Sequence, residues 1–263
     1  MSTITTFRRS FVSEWILLGR RRLWIGVSAT AIGLAAVITW LLVASSTTMG
    51  RGQTAVTLDS HAITGSGGAT AAAMPAMGFT ALLIVAAMGN DISRGTLRTA
   101  FLRQRSRATL ITGKLGARIV MALTVLVAAM ITAAVTTQMI DLARGLDTSD
   151  WASTAALGTT AENLLRLIVF VTMYAVIGTA VAVAIPSTPI ALGALLVWFG
   201  PVENIIGDGR TWAQEWFPGL VLREVLAPTP TGPSTTHVAI VLAAYALVAI
   251  ATITVLTRRD VTE

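Results

Sequence analysis

Cysteine is absent from these 263 residues, lysine occurs once, at Lys114, and histidine only at His61 and His237. No disulfide can staple the chain, no thiolate can act as nucleophile or soft metal ligand, and imidazole chemistry is confined to two positions. Charge is scarce as well: 12% of residues are charged against 54% hydrophobic, outside the usual range of water-soluble domains. The formal net charge of +6 would suit a nucleic-acid binder, but the arginines sit in short blocks beside apolar runs, with no aromatic-basic reading motif among them. No nucleic-acid partner is expected. The apolar runs offer almost no ionisable side chain for acid-base work, so the composition argues against a membrane-embedded enzyme. No catalytic, cofactor-binding or metal site is expected in this chain.

What the sequence does have is long apolar runs. A bilayer core about 30 Å thick needs about 20 helical residues at about 1.5 Å each. Runs at about 23–44, 71–89, 119–140, 167–185, 189–206 and 238–256 predict six transmembrane helices. Trp24 and Trp40 mark the ends of the first, where indoles favour the interface. Pro186-Ser187-Thr188-Pro189 breaks the chain after the fourth. Gly200-Pro201 interrupts the fifth, which carries Glu203 and Asn204 near its outer end. The expected fold class is all-α: one polytopic membrane domain over 1–263.

Cytoplasmic loops are enriched in Lys and Arg, so counting them orients the chain. With the N-terminus inside, Arg8, Arg9, Arg20–Arg22, Arg94, Arg98, Arg103, Arg105, Arg107, Lys114, Arg118, Arg258 and Arg259 are cytoplasmic, 14 of the 19 basic residues. Both termini are then expected in the cytoplasm. Arg8-Arg9 resembles a twin-arginine export signal, but the apolar run beyond it is too long and is followed by five more spans. Arginine outnumbers lysine 18 to 1 and alanine is abundant, as in a GC-rich bacterial genome, and the expected location is a bacterial inner membrane.

Ile4, Phe7, Phe11, Trp15 and Leu18 recur at helical spacing, with Arg8, Arg9, Ser10, Ser13 and Glu14 on the other side. An amphipathic helix over 4–19 is expected along the inner leaflet, in contact with membrane lipid. After the second run, residues 90–107 read as a turn and a short helix. Gly95 allows a bend, Thr96 can cap, and Leu97, Ala100 and Phe101 make a small apolar face rimmed by arginines. From the residues alone, a docking element for another protein and a patch binding anionic lipid are equally open.

This stretch resembles the first cytoplasmic loop of ABC-2 type permeases, with Asp91, Gly95, Thr96, Leu97, Ser106, Arg107, Gly113 and Lys114 as the matching residues. Arg258-Arg259-Asp260-Val261 resembles the endings of many such permeases. Asp91 stands where the family more often has Glu, and the usual proline before Ser106-Arg107 is missing. The resemblance implies an elbow helix at 4–19 and a coupling helix at about 96–103. Asp91, Gly95, Thr96, Leu97, Arg98, Phe101, Leu102 and Arg105 would then engage a separate ATPase subunit. It implies that ATP and Mg are bound in that partner, and Gly113-Lys114, followed by Leu115, makes no Walker A pattern here. It further implies a second permease, identical or paralogous, and export of a drug, peptide, lipid or other amphipathic compound.

Residues 210–226 intersperse apolar side chains, Trp212, Trp216 and Phe217 among them, with Arg210, Glu215, Arg223 and Glu224 around Pro218, too charged to span and apolar enough to lie near the outer interface. They resemble the external helices that cap the exit in such permeases. Glu203 and Asn204 are candidates for an external gate, against the alternative that Gly200-Pro201 ends the span and leaves Glu203 among headgroups. Met74, Met77 and Met88 are expected to be packing residues, and Gly65-Ser66-Gly67-Gly68 a surface loop. A channel that uses no ATP, or a structural membrane partner, is the alternative function.

Overall fold

In hydrocarbon a helix satisfies its backbone amides within itself, so a chain this apolar has little other regular structure open to it. The computed structural model describes residues 3–19, 21–48, 84–91, 107–143, 153–185, 187–226 and 232–259, and among them the regular elements are helical, with no strand. They are α1 (Thr3–Leu18), α2 (Arg21–Thr48), α3 (84–91), α4 (Arg107–Ala143) and α5 (Thr154–Ala184). There follow α6 (Thr188–Val197), a π-turn (Trp198–Val202), α7 (Glu203–Gly207), α8 (Thr211–Trp216), α9 (Pro218–Leu226) and α10 (Thr235–Arg259).

Among the described residues, four stretches are long and apolar enough to cross a membrane: Thr109–Ile140, Leu157–Ala184, Thr188–Gly207 and Thr235–Leu256, of 32, 28, 20 and 22 residues. At about 1.5 Å per residue the shortest reaches about 30 Å, the thickness of a bilayer core. Ile25–Leu41 is a shorter apolar stretch within α2. Of the second expected span, 71–83 lie outside the described residues.

The chain divides into two compact units. One comprises Arg21–Phe79 and Leu123–Val169. It packs through small side chains, with Ala35 of α2 against Ala129 and Ala133 of α4 and Met130 beside them. Alanine at these positions lets the two helix backbones approach closely.

The other unit comprises Met1–Arg20, Thr80–Ala122 and Phe170–Glu263. In it α4 begins at Arg107, well before the expected start at 119, because Lys114 and Arg118 are drawn into the helix by acidic partners. After α5 the break falls where the proline cluster predicts it, with Ser187 preceding α6 and Pro189 in its first turn. Gly200-Pro201 does not end the next helix. Pro201 has no amide to donate, and the Glu203 amide bonds the Trp198 carbonyl five residues back. Ala191, Leu195, Phe199, Glu203 and Gly207 are all buried. Steps of four drift by about 40° each around an α-helix, and the wider π-turn takes up part of that drift, keeping Glu203 on the buried face.

Candidate functional site: a buried ion cluster

Four charged side chains from three helices of this unit meet where α1 lies against the beginning of α4. Lys114 and Arg118 are one helical turn apart and so share a face of α4. Arg118 donates from Nε and Nη2 to Glu14 Oε1 at 2.8 and 2.5 Å, and from Nη2 to Asp91 Oδ2 at 2.9 Å. Lys114 Nζ donates to Glu14 Oε2 at 2.8 Å and to Asp91 Oδ2 at 2.6 Å. Arg118 Nη1 also reaches Met88 Sδ of α3 at 3.3 Å. Each cation bridges both acids, and the formal charges of the four sum to zero.

Glu14 and Arg118 form the inner half, 3% and 2% exposed, while Asp91 and Lys114 are 16% and 14% exposed. Taking such groups out of water costs several kcal/mol per ion, roughly, and only close, multiply bonded geometry recovers it. A buried acid left without its cation is therefore strongly unfavourable, and the cluster holds its three helices together as a set.

The orientation of α1 follows from these bonds. The amphipathic pattern predicts Ser10 and Glu14 on the side opposite the aromatic stripe, turned to water. Both are instead buried, with Leu18 on the same face, while Val12, Ile16 and Leu17 are exposed. Ser10 Oγ donates to the Leu110 carbonyl at 2.7 Å, so partner groups on α4, not hydrophobicity, select the inward face. Phe7, Phe11 and Trp15 stack on one another along the helix.

Asp91 is thus the one expected coupling residue that the structure places. Gly95, Thr96, Leu97, Arg98, Phe101, Leu102 and Arg105 lie outside the described residues. Asp91 and Arg107 are the described residues flanking that segment, and Asp91 is tied to α4 by Lys114 and Arg118. Glu14, Lys114 and Arg118 were not expected as site residues. Their signal is an isolated acid in α1, the only one before Asp59, and an i,i+4 basic pair at the edge of an apolar run.

Glu203 and Asn204 occupy a second polar locus of the same unit. Glu203 is fully buried and its Oε2 accepts the Leu220 amide at 3.0 Å. That amide lies in the first turn of α9, where a carboxylate offsets the exposed N–H groups and the positive end of the helix dipole. Its Oε1 has no close hydrogen-bond partner among the described residues. A Cβ on Gly219 would stand 2.2 Å from Glu203 Oε2 and 2.7 Å from Phe199 Cδ1, so a larger residue there would displace the carboxylate or the ring. Asn204 is exposed, donates to the Gly200 carbonyl and accepts from Arg223 Nη1 at 2.5 Å.

The expected helical pieces at 210–226 are α8 and α9, divided at Pro218. Carbonyls at the end of α8 are taken up by α10: Tyr245 Oη donates to Trp216 at 3.0 Å, and His237 Nε2 reaches the Glu215 carbonyl at 3.1 Å. The Trp216 and His237 rings meet edge to face at 5.2 Å.

Helices of this length and apolarity define a membrane-embedded helical protein. The chain belongs to the DUF2705 family, proteins of unknown function, whose family model matches residues 35–262. That match includes Asp91, Lys114, Arg118 and Glu203 and begins after Glu14. No curated protein and no solved structure matches the chain.

Proposed function

We propose that this protein is the transmembrane permease subunit of an ABC-2 type transporter, driven by a separate P-loop ATPase subunit and exporting a drug, peptide, lipid or other amphipathic compound. The observation that carries the reading is the tie between Asp91 and the Lys114–Arg118 pair. It ties Asp91, the described residue at one end of the segment that resembles a coupling loop, to side chains of α4 two to three turns beyond Arg107, the described residue at the other. A loop that receives force from a motor must be rooted rigidly in the spans it moves, and closely bonded, partly buried ion pairs are one way to root it.

On this reading the chain has six spans with both termini cytoplasmic, α1 is the elbow helix, and Thr96–Leu102 is the docking element. ATP and Mg belong to the partner, two permeases complete the path, and α8 and α9 lie at the outer face. Purification of the full-length chain from its native membranes in mild detergent tests the reading. It should yield a Walker A protein in stoichiometric amount, with ATP hydrolysis in the complex. A chain that purifies without any ATPase, and whose membranes pass solutes without ATP, is a channel or a structural partner instead.

A further inference from the structure

Among the described residues two carboxylates are buried, Glu14 and Glu203, and they are met in opposite ways. Glu14 has a cation on each of its oxygens. Glu203, fully buried at membrane depth, forms no ion pair among the described residues. The groups that face it are Arg223 of α9, Tyr174 of α5 and Tyr245 of α10, with the Trp198 side chain and the Gly219 and Leu220 amides. Arg223 is exposed and gives Nη1 to Asn204, and Tyr245 gives its hydroxyl to the Trp216 carbonyl. Oε2 accepts the Leu220 amide, while Oε1 is buried without a close partner. Amide dipoles and the partial charge of a helix end recover only part of what it costs to withdraw a carboxylate from water.

The charge of Glu203 is therefore to be met by a cation from outside the chain, and the site suits only the smallest. A Cβ at Gly219 would stand 2.2 Å from Oε2, and one at Gly207 would stand 2.5 Å from Leu220 Cδ1, so α9 lies directly over the carboxyl group. No cluster of acids and histidines able to hold a metal ion occurs among the described residues. A proton needs one free oxygen, which Oε1 supplies.

The geometry points to Glu203 as a proton-binding site, carrying a neutral carboxyl group while α9 covers it and releasing the proton to water when α9 lifts away. Oε2 can accept the Leu220 amide in either form, so the cap survives protonation. Lifting α9 brings water to Oε1, the proton passes to that water, and the carboxylate left behind is solvated. Covering it again takes one proton up. By linkage, above the ordinary carboxylate range the ratio of covered to lifted α9 falls about tenfold per pH unit. The inference does not rest on the transporter reading: it concerns only Glu203 and the helix above it.

The test uses the full chain in lipid vesicles. At pH 7, where exposed carboxyl groups are ionised, its infrared spectrum should contain the carbonyl stretch of one protonated carboxylic acid, shifted by deuterium exchange and absent from Glu203→Gln. Leu220→Ala, which shortens the side chain resting on Gly207 and keeps the carboxyl group, should show the band only at acidic pH. Protection of the residue 220 amide, corrected for the exchange rate of an unstructured peptide at each pH, should fall as pH rises in the parent. In Glu203→Gln, a fixed mimic of the neutral acid, it should not depend on pH. Overturning results are a parent with no acid band at pH 7, a band that persists in Glu203→Gln, a Leu220→Ala chain that keeps the full band at pH 7, or equal pH dependence of protection in parent and Gln variant.

Discussion

Arg118 bridges Glu14 and Asp91, donating to both carboxylates from Nη2 and to Glu14 again from Nε. An arginine held in this way is not interchangeable with an apolar residue of similar length. Arg118→Met leaves two carboxylates facing Lys114 alone, and removal of one partner from a buried pair costs about 3–5 kcal/mol. Thermal unfolding in detergent should show a large loss for Arg118→Met and a smaller one for Arg118→Lys, which keeps the charge but not the fork. Equal melting of Arg118→Met and the parent would mean that the cluster does not stabilise the fold.

Glu203 is expected to act through α9. Glu203→Gln retains a carbonyl oxygen able to accept the Leu220 amide, so its abundance should be close to that of the parent. Glu203→Leu strands that amide, at a cost of about 1–3 kcal/mol. Hydrogen exchange at residue 220 should accelerate in the Leu variant and stay near the parent rate in the Gln variant. Equal exchange in all three would remove the capping role. Transport by Glu203→Gln reports separately on the external-gate idea: altered transport at normal abundance supports it, and unaltered transport ends it.

Gly219→Ala places a methyl 2.2 Å from Glu203 Oε2 and 2.7 Å from Phe199 Cδ1. Overpacking of this kind costs about 1–3 kcal/mol. Gly193→Ala, in the interior of α6 with nothing within 4 Å of the added atom, is the matched control. It should be neutral or stabilising by up to about 1 kcal/mol, since glycine is a poor helix former. Equal melting of the two variants would contradict the packing described around Glu203.

Phe101→Asp should leave the protein in the membrane and weaken its hold on the ATPase, because a charge replaces the largest apolar side chain on the proposed docking face. Copurified ATPase and ATP-dependent transport should both fall. Unchanged values of both would count decisively against that face as the docking surface.

Four of the six expected apolar spans are found among the described residues, legible because lipid imposes a length that a sequence can be measured against, and the break after α5 and the division at Pro218 fall where proline chemistry puts them. The start of α4 was not legible: Lys114 and Arg118 look like loop residues until Glu14 and Asp91 are brought to them from elsewhere in the chain. The same long-range pairing turned α1, since local periodicity assigns Ser10 and Glu14 to water and cannot foresee partners on α4. At Gly200-Pro201 the sequence signals an interruption. The chain answers with a π-turn, which hides Glu203 instead of exposing it.

The central claim, that an ATPase grips the loop between α3 and α4, is tested most directly at Phe101. In a chain with no other thiol, Phe101→Cys carries a photoactivatable cross-linker at that position alone. Irradiation of native membranes should join the chain to a Walker A protein, with a yield that changes on adding ATP and vanadate. A cross-linker that captures only anionic lipid, with no ATPase adduct under either condition, would contradict the account.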